Sequence, residues 1–147
     1  MAGMGIQIRS TLLAALAGLA LAACGGNGER ASARAERSRP ATSVTTMEVA
    51  MRQPPGAAVS IGPDGTLKID DVVLPQPPEK QQALQNYFGQ LQMRRQRVLE
   101  QLQSGGGKPI TIAPDAQLKP LQDGLMADFP ELRPYKASLD TIRLEAR

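Results

Sequence analysis

Polar and apolar residues alternate most regularly in two short runs, Ala57-Ala58-Val59-Ser60-Ile61 and Thr66-Leu67-Lys68-Ile69-Asp70. Between them stands Gly62-Pro63-Asp64-Gly65, where Pro63 presets the second position of a turn and Gly65 accepts a positive φ. A period of two on both sides of such a turn predicts a β-hairpin. Asp71-Val72-Val73-Leu74 would extend or bend its second strand before Pro75. Upstream, Val44, Thr46 and Glu48 alternate with Thr45, Met47 and Val49. That predicts one strand with Thr45, Met47 and Val49 inward, stopped by Gln53-Pro54-Pro55-Gly56.

The period then lengthens. Pro78 suits a helix's first turn and Glu79 complements its positive end. From Glu79 to Gln103 apolar residues fall at Leu84, Tyr87, Phe88, Leu91, Val98, Leu99 and Leu102. These make one stripe on an amphipathic helix of about 37 Å. Ser104-Gly105-Gly106-Gly107 terminates it. Arg95 interrupts the stripe, with Arg94 and Arg97 to either side, so a basic band crosses the helix halfway along. Either the core covers only Leu84 to Leu91 and the far half projects into solvent or against a partner, or the Arg95 stem lies on the apolar face while its head reaches an acid or a phosphate. The alternative is that Arg94, Arg95 and Arg97 form a contact surface for a partner. Leu84, Leu91 and Val98 recur every seven residues, but Arg94 and Gln101 spoil the second seam position of a coiled coil.

Lys108-Pro109-Ile110-Thr111-Ile112 predicts a short strand. Residues 115–126 predict a second helix, with Leu118, Leu121, Leu125 and Met126 on one face and Pro120 starting or kinking it. Phe129, Leu132, Tyr135, Leu139, Ile142 and Leu144 add core, and the mixed spacing of residues 138–147 assigns them no element. The four aromatics (Tyr87, Phe88, Phe129 and Tyr135) all follow residue 86 and are expected to cluster where the main helix meets the C-terminal segment. The fold class is α+β: an N-terminal β-hairpin, one long amphipathic helix and a shorter helical C-terminal segment, in a domain spanning residues 57–147.

A different pattern opens the chain. Arg9 precedes an apolar run over residues 11–20, and small residues then lead into Leu21-Ala22-Ala23-Cys24. A basic start, a short apolar run and a small-residue exit describe a secretory signal peptide, too short to span a bilayer. The tetrad resembles a bacterial lipobox at all four positions. Membership of that lipoprotein family implies cleavage between Ala23 and Cys24 and a diacylglyceryl group on the Cys24 thiol. Residues 1–23 would then be the leader and Cys24 the first mature residue. Gly25-Gly26 follows where an Asp would commonly retain such a protein at the inner membrane. The resemblance therefore implies the periplasmic face of the outer membrane. As the only cysteine, Cys24 has no intramolecular disulfide partner, and several acyl chains on one residue would anchor it durably.

Residues 25–41 hold no aromatic and no large aliphatic side chain, with Arg30, Arg34, Arg37 and Arg39 set among Glu29 and Glu36. Such a stretch cannot bury enough apolar surface to offset its conformational entropy. Residues 24–56 are thus expected to be an acylated cysteine and flexible tether, spanning roughly 23–30 Å as a coil.

Composition narrows the chemistry. Removing Arg9 with the leader leaves 16 basic against 14 acidic residues, a net charge of +2, too small to argue for nucleic acid. The chain has no His and no Trp, which removes the commonest general base and the commonest transition-metal ligand. Asp64, Asp70 and Asp71 lack the ligand spacing and closing Glu of a calcium loop, and the glycine run follows a helix rather than opening one. No catalytic residue, metal site or cofactor is therefore predicted. The expected function is a non-catalytic binding or structural module, held to a lipid membrane through Cys24 and contacting an envelope protein or peptidoglycan. The alternative is an accessory that carries an apolar ligand in a cavity lined by Tyr87, Phe88, Leu91 and Phe129.

Overall fold

The computed structural model describes residues 25–147. The chain divides into two units between residues 37 and 38. The described part of the first is helix α1 (Gly25–Ser38), exposed from Gly28 to Ser38. A helix thus replaces the expected coil over these residues. The stretch is poor in apolar groups, but Ala31, Ala33, Ala35, Glu29 and the arginines are good helix formers. The leader over residues 1–23 and Cys24 lie outside the described residues.

The second unit begins at Ser38 and not at residue 57. Its strands are β1 (Ala41–Val44), β2 (Val49–Arg52), β3 (Val59–Ile61), β4 (Leu67–Ile69), β5 (Val72–Leu74), β6 (Ile110–Ile112) and β7 (Ile142–Leu144). They form one seven-stranded sheet in the order β5-β4-β3-β2-β1-β7-β6, so the architecture is mixed α+β. Every neighbouring pair is antiparallel except β1 and β7, which run parallel with Ser43 opposite Arg143.

Residues 41–52 are therefore sheet and not tether. The single strand expected through Val44 and Val49 is a hairpin, with Val44 paired to Val49 and both buried. Thr45 makes the turn: its hydroxyl accepts hydrogen bonds from the Met47 and Glu48 amides at 3.3 and 3.2 Å. Met47, expected inward, sits at the tip and is 69% exposed. Strands β3 and β4 pair around Gly62-Pro63-Asp64-Gly65, forming the second hairpin of the sheet. Gly65 has φ +78, and a side chain there would collide with the Gln81 carbonyl. Strand β5 does not extend β4. It turns back through Asp70 and Asp71, both at positive φ, which Asp tolerates better than most residues.

The helices are α2 (Pro78–Arg97), α3 (Leu99–Ser104), α4 (Leu118–Asp128) and α5 (Lys136–Leu139), with a 3-10 turn over Pro130–Tyr135. The expected continuous helix is broken at Val98, whose φ of −112 and ψ of 9 leave the helical region. Leu84, Tyr87, Phe88 and Leu91 of α2 share one core with Val44, Val49, Met51, Val59, Ile61, Leu67, Ile142 and Leu144. The strand residues in that list are cross-strand partners on a single face of the sheet. Each such side chain contributes roughly 1.5–3 kcal/mol on burial. Thr42, on the same face, bonds through its hydroxyl to the Ser138 carbonyl of α5 at 2.9 Å.

Candidate functional site

Where α2 turns basic, the structure separates three arginines that lie close in sequence. Arg94 and Arg95 are buried, whereas Arg97 is exposed. The Arg94 guanidinium forks onto Asp115, with Nε 3.0 Å from Oδ2 and Nη2 at 2.8 and 2.7 Å from the two oxygens. Its Nη1 donates to the Gln90 carbonyl at 2.9 Å. Such a bidentate pair is the stronger class of charge-assisted hydrogen bond.

Asp115 does two jobs. Its Oδ1 accepts the Gln117 and Leu118 amides at 3.0 and 2.9 Å, satisfying donors that open α4. The Leu118 amide first, and the Arg94 guanidinium after it, hold the Asp115 carboxyl below the usual carboxylate range.

Arg95 lays its stem over the core as the pattern allowed, but its head reaches carbonyls and not an acid. Nε donates to Glu145 O and Nη2 to Ala146 O, both at 2.7 Å. It therefore clasps the segment after β7. Because two of the three guanidiniums are spent inside the fold, the contact surface expected from Arg94, Arg95 and Arg97 is reduced to Arg97. Asp115 and the Glu145 and Ala146 carbonyls that receive them arrive from 21 to 51 residues away, which helical spacing could not reveal.

Beside this pair, α2 and the start of α4 border a shallow groove of about 370 Å³. It is lined by the amide residues Asn86, Gln90 and Gln117 together with Ala116, Pro120 and Leu121. Deeper in, Gln122 is buried and donates from Nε2 to the Tyr87 hydroxyl at 3.1 Å and to the Leu139 carbonyl at 2.9 Å. Burial pushes the Tyr87 phenol up to about 12, against the milder opposing effect of Gln122. Sequence reasoning missed this bridge, since a lone Gln on a helix face carries no signal for it.

Tyr87, Phe88, Leu91 and Phe129 are members of the common core. Among the described residues no group of three or more His, Cys, Asp or Glu could hold a metal ion, and no helix is long and apolar enough to cross a membrane.

The outer face of the sheet carries a second set of side chains. Register places Thr111, Arg143, Ser43, Ala50, Ser60, Lys68 and Val73 in one cross-strand row, with Arg52 two residues beyond Ala50 and opposite Ala41. The strands' parity gives the signal for this row, once all seven strands are known.

The chain matches no protein-family model, no curated protein and no solved structure.

Proposed function

We propose that this chain is a bacterial lipoprotein, anchored through acylated Cys24 at the periplasmic face of the outer membrane, whose sheet-and-helix unit is a non-catalytic binding or structural module of the cell envelope. One observation carries the reading: the only cysteine stands at the last position of Leu21-Ala22-Ala23-Cys24, directly after a short apolar run. Two or more acyl chains on that residue would hold the chain where a single chain binds only marginally.

The residues between Cys24 and the sheet support such an arrangement. Helix α1 has 14 residues, about 21 Å of rise, where a coil was expected. The partner side of the reading is an envelope protein or peptidoglycan. The amide-lined groove between α2 and α4 offers neutral hydrogen-bonding groups, and Arg94 beside it is already neutralised by Asp115.

The test is fractionation with intact-mass measurement of wild type and Cys24→Ser. The wild type should appear in the outer-membrane fraction with the mass of residues 24–147 plus acyl chains. The variant should lose both the added mass and that location. An unmodified wild-type product would sink the anchoring, and the same modified species in inner-membrane fractions alone would refute the location.

A further inference from the structure

The outer face of the sheet is chemically one-sided. Its in-strand charges are Arg52, Lys68 and Arg143, and no Asp or Glu of any strand shares that face. Of the acids two residues from these cations, Glu145 after Arg143 is already paired to Arg147 at 2.8 Å, and Asp70 after Lys68 lies in the turn to β5 at positive φ. Among the described residues no carboxylate forms a salt bridge with Arg52, Lys68 or Arg143. Between Arg143 and Lys68 the row passes through Ser43, Ala50 and Ser60, so small side chains floor the gap between two cations. Four strand spacings separate those cations, about 19 Å, and Arg52 stands about 7 Å to one side of the row.

An apolar group completes the surface. Val73 follows Lys68 in the same row, on the edge strand β5, and is 51% exposed. Like charges on both copies would oppose self-association through this face. A broad anionic surface with an apolar layer beneath it matches both features.

We propose that the outer face of the sheet docks on anionic lipid headgroups, with Arg52, Lys68 and Arg143 over the phosphates and Val73 at the headgroup–acyl boundary. The choice of a lipid surface rests on the membrane location proposed above. The docking itself needs no acyl chain. Basic side chains near an anionic bilayer contribute about 1 kcal/mol each, or about fivefold in partitioning, and an exposed apolar side chain adds to them.

The experiment is vesicle co-sedimentation of the full chain carrying Cys24→Ala, so that no lipid is attached. Phosphatidylcholine vesicles are compared with phosphatidylcholine vesicles containing phosphatidylglycerol, at low and at physiological salt. Apolar insertion by the N-terminal run contributes to both vesicles alike, so the readout is the anionic-to-neutral ratio. Arg52→Gln, Lys68→Gln and Arg143→Gln together should lower that ratio on the order of a hundredfold. Lys68→Glu alone, at an exposed position, should lower it about fivefold or more. Arg30→Gln, Arg34→Gln and Arg37→Gln together should leave the loss caused by the sheet variants intact.

An unchanged ratio in Lys68→Glu overturns the proposal. So does a preference that disappears only with the α1 arginines, or a face that binds inorganic polyphosphate while the two vesicles bind equally. Any of these failures leaves acylation of Cys24, read by mass, standing.

Discussion

Ser60 and Ile61 are adjacent in β3, yet they belong to two different surfaces. Ile61 points into the core shared by the sheet and α2, and is fully buried. Ser60 points the other way, into a row of small and basic side chains. The same division runs through β2, β4 and β7, where Met51, Leu67 and Ile142 face inward while Arg52, Lys68 and Arg143 face outward. Helices therefore cover the apolar side, and stability and surface chemistry are written in alternate letters of the same strands. Strand β1 alone is buried at all four positions, because its outward residues are small and Arg52 and Arg143 flank them.

Substitution at neighbouring positions would sharpen this contrast. Ile61→Ala removes a packed side chain from the inner face and should destabilise the fold by about 2–5 kcal/mol in urea unfolding. A loss under 1 kcal/mol would mean that the inner face is far less tightly packed than described.

A smaller and pH-dependent effect belongs to Asp115. Its carboxyl titrates below the usual range when folded, chiefly through the Leu118 amide and then Arg94. A depressed folded value contributes stability above the unfolded pKa of about 3.9, and that contribution is lost as pH falls through the folded value. Stability should therefore decline in acid below about pH 4. Asp115→Asn should be less stable at neutral pH and show a shallower acid decline, measured by thermal melts across that range. Parallel acid limbs in the two proteins would remove Asp115 from the account.

The smallest effect is expected on the outer face. Ser60→Ala should shift stability by no more than about 0.5 kcal/mol. A larger loss would show that the outer row is packed in its own right, and the contrast between the faces would dissolve.

Legibility in the sequence followed the strength of the local signal. The β3–β4 hairpin could be read because period-two alternation meets Pro63, Asp64 and Gly65 between its strands. The β1–β2 hairpin could not. Thr45-Thr46-Met47-Glu48 has no Gly, Pro or Asn, alternation runs straight through it, and the Thr45 hydroxyl that closes it is visible only in three dimensions. Helix α1 has no apolar face to signal it and is encoded instead in the local helix preference of Ala, Glu and Arg.

The break at Val98 carries no Gly or Pro to announce it. Strand β7 spans three residues, too short for a period to declare itself. For the site, Arg95 was visible as an interruption of an apolar stripe, but its partners, the carbonyls of Glu145 and Ala146, were not. Backbone acceptors leave no mark in a sequence.

The place of β7 has a consequence in time. It follows the six other strands of the sheet in sequence, and it lies between β1, the first of them, and β6. Until Ile142, Arg143 and Leu144 have emerged, β1 has an open edge, β6 has no neighbour, and Arg95 has nothing to clasp. A contact that joins the two extremes of the unit is slow to close, because loop entropy is lost before the contact rewards it. The sheet is thus completed by residues 142–144, after its six other strands. A chain still being synthesised, or still passing through a narrow channel, stays open for as long as those residues are withheld.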